Sequence, residues 1–247
     1  MTPHLRPIIF CDFDGTISLS DVTDEILTRL APPDWREVEQ LWIDGKIGSR
    51  ECLARQLAMV TASADDLNAL IDSIPIDPGF HEFVRFVGAT GVPFVVVSDG
   101  LDFVIRRVLA HAGLHSRGRN GIHFYSSAGR LVRGRLAVSF PHFAAGCEHG
   151  CATCKPGIIR SLKNGRRPVI YVGDGLSDQH AVGEADLVFA RRPLLEFCRR
   201  REIPARLFET FGDVEEALSH LFAGAAEEIS ELAVDRGAIA TANPFHG

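Results

Sequence analysis

Ile8-Ile9-Phe10-Cys11-Asp12-Phe13-Asp14-Gly15-Thr16 is an apolar run that stops at two carboxylates two residues apart and then a glycine. Side chains two apart on a strand share a face, and just past a strand's end the chain curls enough to aim both groups at one point. Two acids at one point invite a metal ion. A buried strand that feeds a polar glycine turn is also where open α/β sheets place their ligands, outside the carboxyl ends of the strands. Taken alone, the same residues describe a strand ending in an Asx turn, since Asp and Gly are ordinary turn residues. The rest of the chain decides between the two.

Two further segments repeat the design. Val92-Pro93-Phe94-Val95-Val96-Val97-Ser98 is a short β-branched and aromatic run that delivers a hydroxyl at its end, followed by Asp99-Gly100. Pro168-Val169-Ile170-Tyr171-Val172-Gly173-Asp174-Gly175 ends in a carboxylate between two glycines, with Ser177 and Asp178 just beyond, and Lys155 opens the helix that precedes it. Strands alternating with helical patterns predict an α/β fold with a doubly wound parallel sheet, whose strands put all their carboxyl ends on one edge. The chemistry-bearing inventory is Asp12, Asp14, Ser98, Lys155, Asp174 and Asp178, mostly at the ends of apolar runs.

In order and spacing these segments resemble the motifs of the haloacid dehalogenase superfamily of phosphohydrolases. Asp12-Phe13-Asp14-Gly15-Thr16 matches the first motif, Ser98 the second, Lys155 the third and Gly173-Asp174-Gly175-Leu176-Ser177-Asp178 the fourth. The resemblance covers most of the chain and implies a magnesium-dependent phosphatase that acts on a small phosphorylated metabolite through an aspartyl-phosphate. It makes Asp12 the nucleophile, and Asp14 the acid that protonates the leaving alcohol and then the base that activates water. It assigns magnesium to Asp12, the Asp14 carbonyl and Asp174, with Asp178 beside them or orienting Lys155. The phosphoryl group falls to Ser98, Asp99, Gly100 and Lys155. Thr16 and Ser177 read equally well as turn or cap residues.

Elementary chemistry accounts for these residue types. A carboxylate nucleophile splits a difficult hydrolysis into two steps. Two unit charges 4 Å apart interact by about 4 kcal/mol at an effective dielectric near 20, so carboxylates around a phosphate dianion need a divalent ion and a lysine. Oxygen ligands of this kind suit magnesium.

With 247 residues, 46% of them hydrophobic, the chain can carry one core and an insertion. Helical patterns around Asp21–Leu30, Asp34–Asp44, Ser49–Val60 and Asp65–Ser73 follow the first strand with no strand signal among them. Val22, Ile26 and Leu30 recur at i, i+4 and i+8, one apolar stripe. The expected organisation is a Rossmann-like core over 1–17 and 79–223, an all-helical cap over 18–78 and a tail over 224–247. In the resembling superfamily such a cap closes over the site and selects substrates. Ile122–Ser126 and Leu131–Val138 predict a hairpin with Ala128-Gly129 as its turn.

A narrower resemblance is to the 2-hydroxy-3-keto-5-methylthiopentenyl-1-phosphate phosphatases of methionine salvage. It is carried by Ser20-Asp21, by Ala31-Pro32-Pro33-Asp34-Trp35, and by Pro141-His142 leading through a cysteine loop to Cys154-Lys155-Pro156. Phosphoserine phosphatases are similar too; there a Glu nine residues past the nucleophile and a cap Arg hold the substrate. Here Asp21 stands at the Glu position and Gln56 where the Arg belongs, with Arg55 beside it and Arg50 a turn back. Asp21, Arg50 and Arg55 are therefore the candidate substrate contacts. Phosphomutases share the covalent chemistry. Response-regulator receivers form a phospho-aspartate in a similar sheet without catalysing turnover, but they keep the acidic pair and the phosphorylated Asp on different strands and have no helical lid.

A net charge of −6 offers no basic surface for nucleic acid. No apolar run approaches the ~18 residues of a membrane span, and no signal-peptide core opens the chain, so a cytoplasmic monomer or homodimer is expected. Of six cysteines, Cys147, Cys151 and Cys154 cluster directly before Lys155. With His142 they form a candidate structural zinc set; a disulfide or three reduced thiols are the alternatives. Cys11, Cys52 and Cys198 read as small buried hydrophobes.

Overall fold

Strand β1 (Ile8–Cys11) is buried on both faces, and its side chains alternate between two cores. Ile9 and Cys11 join Phe80, Phe83 and Ile105, while Ile8 and Phe10 join Ile159 and Leu194. Burial on both faces is what an unbroken apolar run in a parallel sheet requires. The computed structural model describes residues 6–115, 121–164 and 167–223. The tail expected at 224–247 lies outside the described residues.

β2 (Phe94–Leu101), β3 (His123–Val132), β4 (Arg135–Ser139), β5 (Val169–Gly173), β6 (Leu187–Ala190) and β7 (Ala205–Leu207) complete a seven-stranded sheet ordered β4-β3-β2-β1-β5-β6-β7. Every pairing is parallel except that of β3 with β4. Because β2 lies on one side of β1 and β5 on the other, the connections leave in opposite directions there, which opens a crevice at the carboxyl end of β1. Helices α5 (Phe80–Thr90) and α6 (Asp102–His111) in chain order cover one face; the helices starting at Lys155 (Lys155–Leu162) and Arg192 (Arg192–Arg200) cover the other. The α/β doubly wound sheet read from the sequence is the observed fold.

Between β1 and α5 the chain forms four helices: α1 (Val22–Leu30), α2 (Trp35–Ile43), α3 (Ser49–Leu57) and α4 (Ala64–Asp72). With these named, the helix of Lys155–Leu162 is α7 and that of Arg192–Arg200 is α8. α1 starts where the Asp21 carboxylate accepts the Asp24 N–H at 3.0 Å. It stops at Ala31, which the following Pro32 holds in an extended conformation (φ −123°, ψ 156°). Val22, Ile26 and Leu27 are buried in the same core as Ile9, so the insert and the sheet share one apolar interior. An isolated antiparallel bridge between Ser18 and Ile76 ties the two ends of the insert together, and another joins Thr61 to Arg135. Among the described residues no helix is long and apolar enough to cross a membrane.

The hairpin turns at a different place from the one the sequence indicates. β3 runs unbroken from His123 to Val132 and reverses at Arg133-Gly134, whose φ angles of 50° and 78° form the two-residue geometry that matches strand twist. Ala128-Gly129 stays inside the strand. An added Cβ on Gly129 would lie 3.0 Å from the Phe103 ring and 3.1 Å from Leu101, so this glycine serves close packing and not a turn.

Candidate active site

The loop after β1 turns at Gly15 (φ 69°), where a Cβ would lie 2.5 Å from Asp174 Oδ2; only glycine lets the loops after β1 and β5 come this close. Thr16 Oγ1 donates to Asp174 Oδ1 at 3.0 Å. Asp12 Oδ1 accepts the Phe13 N–H at 2.7 Å, and its Oδ2 faces Lys155 Nζ at 2.8 Å. Lys155, the first residue of α7, also donates to Asp178 Oδ1 at 2.7 Å and to Ser177 Oγ at 3.0 Å. Asp178 further accepts from the Tyr171 hydroxyl at 2.6 Å and the Asp174 N–H at 3.0 Å, which fixes its orientation.

Carboxylate oxygens of Asp12, Asp174 and Asp178 lie within 4.8 Å of one another, the one such group of metal-ligating side chains among the described residues. Burial and then the charge of Asp178 push Asp12 well above the usual carboxylate range, and the same two causes push Asp174 up to about 7. Burial disfavours the Lys155 ammonium, yet Asp12 and Asp178 hold it well above its ordinary value. Burial works against the Asp178 charge as well, but Lys155 and the hydrogen bonds from Lys155 and Tyr171 keep it low. Three carboxylates facing one ammonium leave the centre short of positive charge. Hard oxygen donors with that deficit fit a divalent cation such as magnesium.

Asp14 stands on the other side of the crevice. Its Oδ1 accepts the Val22 N–H at 3.0 Å at the start of α1, and its Oδ2 accepts from Ser98 Oγ at 3.2 Å. Burial, then the nearby Asp21, raise its pKa to about 7. A carboxyl that titrates near neutrality both gives and takes a proton readily. Gly100 completes this corner: its N–H donates to Ser98 Oγ at 2.9 Å, and a Cβ there would come 2.6 Å from Asp14 Oδ2.

A cavity of ≈ 230 Å³ opens between these groups and the insert. Asp21, Asp24, Glu39 and Gln56 supply its polar wall, Trp42 and Leu53 its apolar one, and no lysine or arginine is among the described residues lining it. Gln56 Nε2 donates to Glu39 Oε2 at 2.7 Å. Neither Arg50 nor Arg55 is among the residues lining the cavity. The Arg50 guanidinium lies 4.7 Å over the Phe143 ring, and Arg55 pairs with Glu51 at 3.4 Å on an exposed face. The phase of α3 explains it, since Cys52, Gln56 and Leu57 face inward and turn the two arginines away.

Asp99 lines the same cavity, and its side chain is held by the insert and by the loop before Lys155. Its Oδ2 accepts from Ser49 Oγ at 2.7 Å and its Oδ1 from the Thr153 N–H at 2.8 Å. Ser49 Oγ in turn accepts the Ala152 N–H at 3.0 Å. The carboxylate thus joins the end of β2 to the insert and to the loop before Lys155. The zinc reading of that loop fails: Cys147, Cys151, Cys154 and His142 offer no set of atoms that meet around one centre, and His142 packs edge-on against Tyr125 at 5.0 Å. All six cysteines are free thiols.

The sequence leaves Thr16 and Ser177 evenly balanced between turn and functional roles and does not single out Tyr171 or Ser49. Tyr171 carried one usable signal, because a tyrosine in an otherwise apolar buried strand needs a partner for its hydroxyl.

Comparison with known proteins agrees with this geometry. The family model of the haloacid dehalogenase-like hydrolases matches residues 9–182. The chain is 32% identical over 216 residues to a 2-hydroxy-3-keto-5-methylthiopentenyl-1-phosphate phosphatase of Bacillus thuringiensis (strain Al Hakam), covering 86% of this chain and 96% of that protein. Among solved structures, a phospho-aspartyl intermediate analogue of phosphoserine phosphatase superposes with a TM-score of 0.66 at 18% identity, covering 87% of this chain and 99% of that one. An unliganded probable phosphoserine phosphatase from Vibrio cholerae gives a TM-score of 0.66 at 19% identity, over 90% of this chain and 67% of the other. These two likenesses establish a shared fold. A match that begins in β1 and runs past Asp178 takes in every acidic loop of the crevice, and the chain belongs to the haloacid dehalogenase-like hydrolases.

Proposed function

We propose that this chain, a phosphoric monoester hydrolase, cleaves 2-hydroxy-3-keto-5-methylthiopentenyl-1-phosphate, or a close analogue uncharged away from its phosphate, through a phosphorylated Asp12. The observation that carries the reaction is the opposition across one crevice of Asp12, held by Lys155, and Asp14, poised to titrate near neutrality. Asp12 attacks phosphorus, the ester P–O bond breaks, and Asp14 protonates the departing alkoxide. Asp14, now ionised, takes a proton from water as that water attacks the acyl phosphate, and inorganic phosphate leaves with Asp12 restored. Ser98 and Lys155 stabilise the phosphoryl oxygens as negative charge builds. Asp12, Asp174 and the Asp14 carbonyl would hold magnesium, which supplies charge neutralisation and orientation of the phosphoryl group. The helical insert acts as a lid that excludes water from the crevice.

The substrate assignment rests on the cavity. Phosphoserine presents a carboxylate, and a wall of Asp21, Asp24 and Glu39 without a guanidinium repels it. An ester that is uncharged away from its phosphate offers its hydroxyl as a donor to those carboxylates, and a thiomethyl end fits Trp42 and Leu53. Magnesium-dependent phosphate release from a panel holding this ester, phosphoserine and an aryl phosphate should give the highest kcat/KM for the first. Preference for phosphoserine would overturn the substrate, and conversion without net phosphate would indicate a mutase. Asp12→Asn should lower kcat by about 10⁴-fold or more with the fold intact, as removal of a covalent nucleophile does. Near-normal turnover in the variant, with deamidation excluded by mass, would sink the mechanism.

A further inference from the structure

Asp99 lies between Ser98 and Gly100 in the chain, yet the reaction proposed above gives its carboxylate no part. Side chains alternate along the end of β2, so Ser98 turns to Asp14, its Oγ donating at 3.2 Å, while Asp99 turns toward the loop that precedes Lys155. Both of its oxygens are engaged. Oδ1 accepts the Thr153 N–H at 2.8 Å, and Oδ2 accepts at 2.7 Å from Oγ of Ser49, the first residue of α3. Thr153 is 1% exposed, so its N–H needs an acceptor within the protein.

The loop held in this way leads straight into the site. The Lys155 N–H donates to Thr153 O at 2.7 Å and the Cys154 N–H to His142 O at 2.9 Å, so Thr153 fixes the main chain from which α7 and the Lys155 side chain start. From there Nζ reaches Asp12 at 2.8 Å. The insert grips the same loop from the other side. Ser49 Oγ accepts the Ala152 N–H at 3.0 Å, and the Arg50 N–H donates to Gly150 O at 3.0 Å. A Cβ on Gly48 would sit 2.5 Å from that oxygen, so the contact has no slack.

We propose that Asp99 is a positioning residue with two separate tasks: Oδ1 sets Lys155 against Asp12 through the Thr153 N–H, and Oδ2 makes that setting depend on a docked insert through Ser49. The role is geometric. It requires hydrogen-bond partners at both atoms and no charge directed at the phosphoryl group or the metal. It bears on the chemical step, because Lys155 orients the nucleophile and meets the phosphoryl oxygens as negative charge builds. When the insert moves off, the loop loses one of its anchors, so the nucleophile is fully set only under a closed lid.

The inference rests on the hydrolase reaction proposed above, so the test begins with wild type. Purified full-length enzyme with magnesium should release phosphate from an aryl phosphate; failure there overturns that reaction, and this inference with it. Asp99→Ala should then lower kcat by about 10–100-fold, as a slightly misplaced catalytic group does, and leave KM for this small ester within about threefold. Asp99→Asn, which keeps an oxygen for the Thr153 N–H and offers Nδ2 to Ser49 Oγ, should recover most of the lost kcat. Ser49→Ala should lower kcat by the smaller factor, and adding it to Asp99→Ala should cost nothing more, since the two side chains act through one contact. If Asp99→Ala does not fold, Asp99→Ser, too short to reach the Thr153 N–H, takes its place. A wild-type kcat in the truncated variant, a loss confined to KM, an Asn variant no better than the truncated one, or additive losses with Ser49→Ala each overturns the proposal.

Discussion

Lys155 has 2% of its side chain exposed and faces Asp12 and Asp178 at 2.8 and 2.7 Å, so one ammonium compensates two buried carboxylates. Lys155→Met strands both, and should destabilise the metal-free protein by about 3–5 kcal/mol, the cost of breaking a buried pair by removing one partner. Adding Asp178→Asn should recover part of that loss, read from urea unfolding. Unchanged stability in the single variant would show that the two carboxylates are already neutral. Thr16 tests the metal side of the same centre. Its hydroxyl aims Asp174, so Thr16→Val should weaken magnesium binding by about 10–100-fold, as loss of an orienting partner does; calorimetric titration with an unchanged dissociation constant would remove Thr16 from the metal site. Legibility at this scale followed position in the chain. Asp12, Asp14, Ser98 and Asp174 ended apolar runs, and parallel strands leave such ends on one edge. Tyr171 was hidden because its partner, Asp178, is met through the fold and not through spacing.

At the scale of elements, α4 and α6 are bound by one fork. Arg107 donates to Asp72 through Nε at 2.6 Å and Nη2 at 2.7 Å, which clamps the insert to a helix of the sheet layer. The Arg107 hydrogen bond holds the Asp72 carboxyl below its usual value. A group whose folded pKa is depressed contributes stability above its unfolded pKa, near 3.9, and loses it as pH falls through the lower folded value. Asp72→Asn should therefore lower Tm at pH 7, and the gap to wild type should close below about pH 4. A gap that persists undiminished at pH 3 would mean that packing, not charge, is what the substitution disturbs. Helix positions in the insert were readable because Val22 and Ile26 keep a helical stripe and Asp21 caps it. The face of α3 was not, because a polar residue, Gln56, lies on the buried side while arginines occupy neighbouring positions in the sequence. The hairpin turn was misplaced for a similar reason: Ala128-Gly129 has turn composition, but its glycine is set by the side chains of Leu101 and Phe103, which lie on another element.

Across the whole molecule, the insert meets the rest at several places, among them the Thr61–Arg135 bridge, the Asp72–Arg107 fork, and Ser49 at the rim of the cavity. Only the last joins the insert to the end of β2 and to the loop before Lys155 at once, so it reports on docking and not on assembly of either part. Ser49→Ala removes the donor to Asp99 and the acceptor for the Ala152 N–H. Leaving a buried polar group unpaired costs about 1–3 kcal/mol, and that range changes the population of the docked arrangement by about 5–150-fold. An ester that fills the cavity up to Trp42 and Leu53 draws binding energy from the docked insert, whereas a small aryl phosphate draws little. Ser49→Ala should accordingly lower kcat/KM for the larger ester by the larger factor. Arg55→Ala, which removes only an exposed pair with Glu51, should change neither value. Equal losses on both substrates in Ser49→Ala would mean that the contact serves the fold of the rim alone, and selection among phosphate esters would then rest on the cavity's carboxylates and not on how firmly the insert closes.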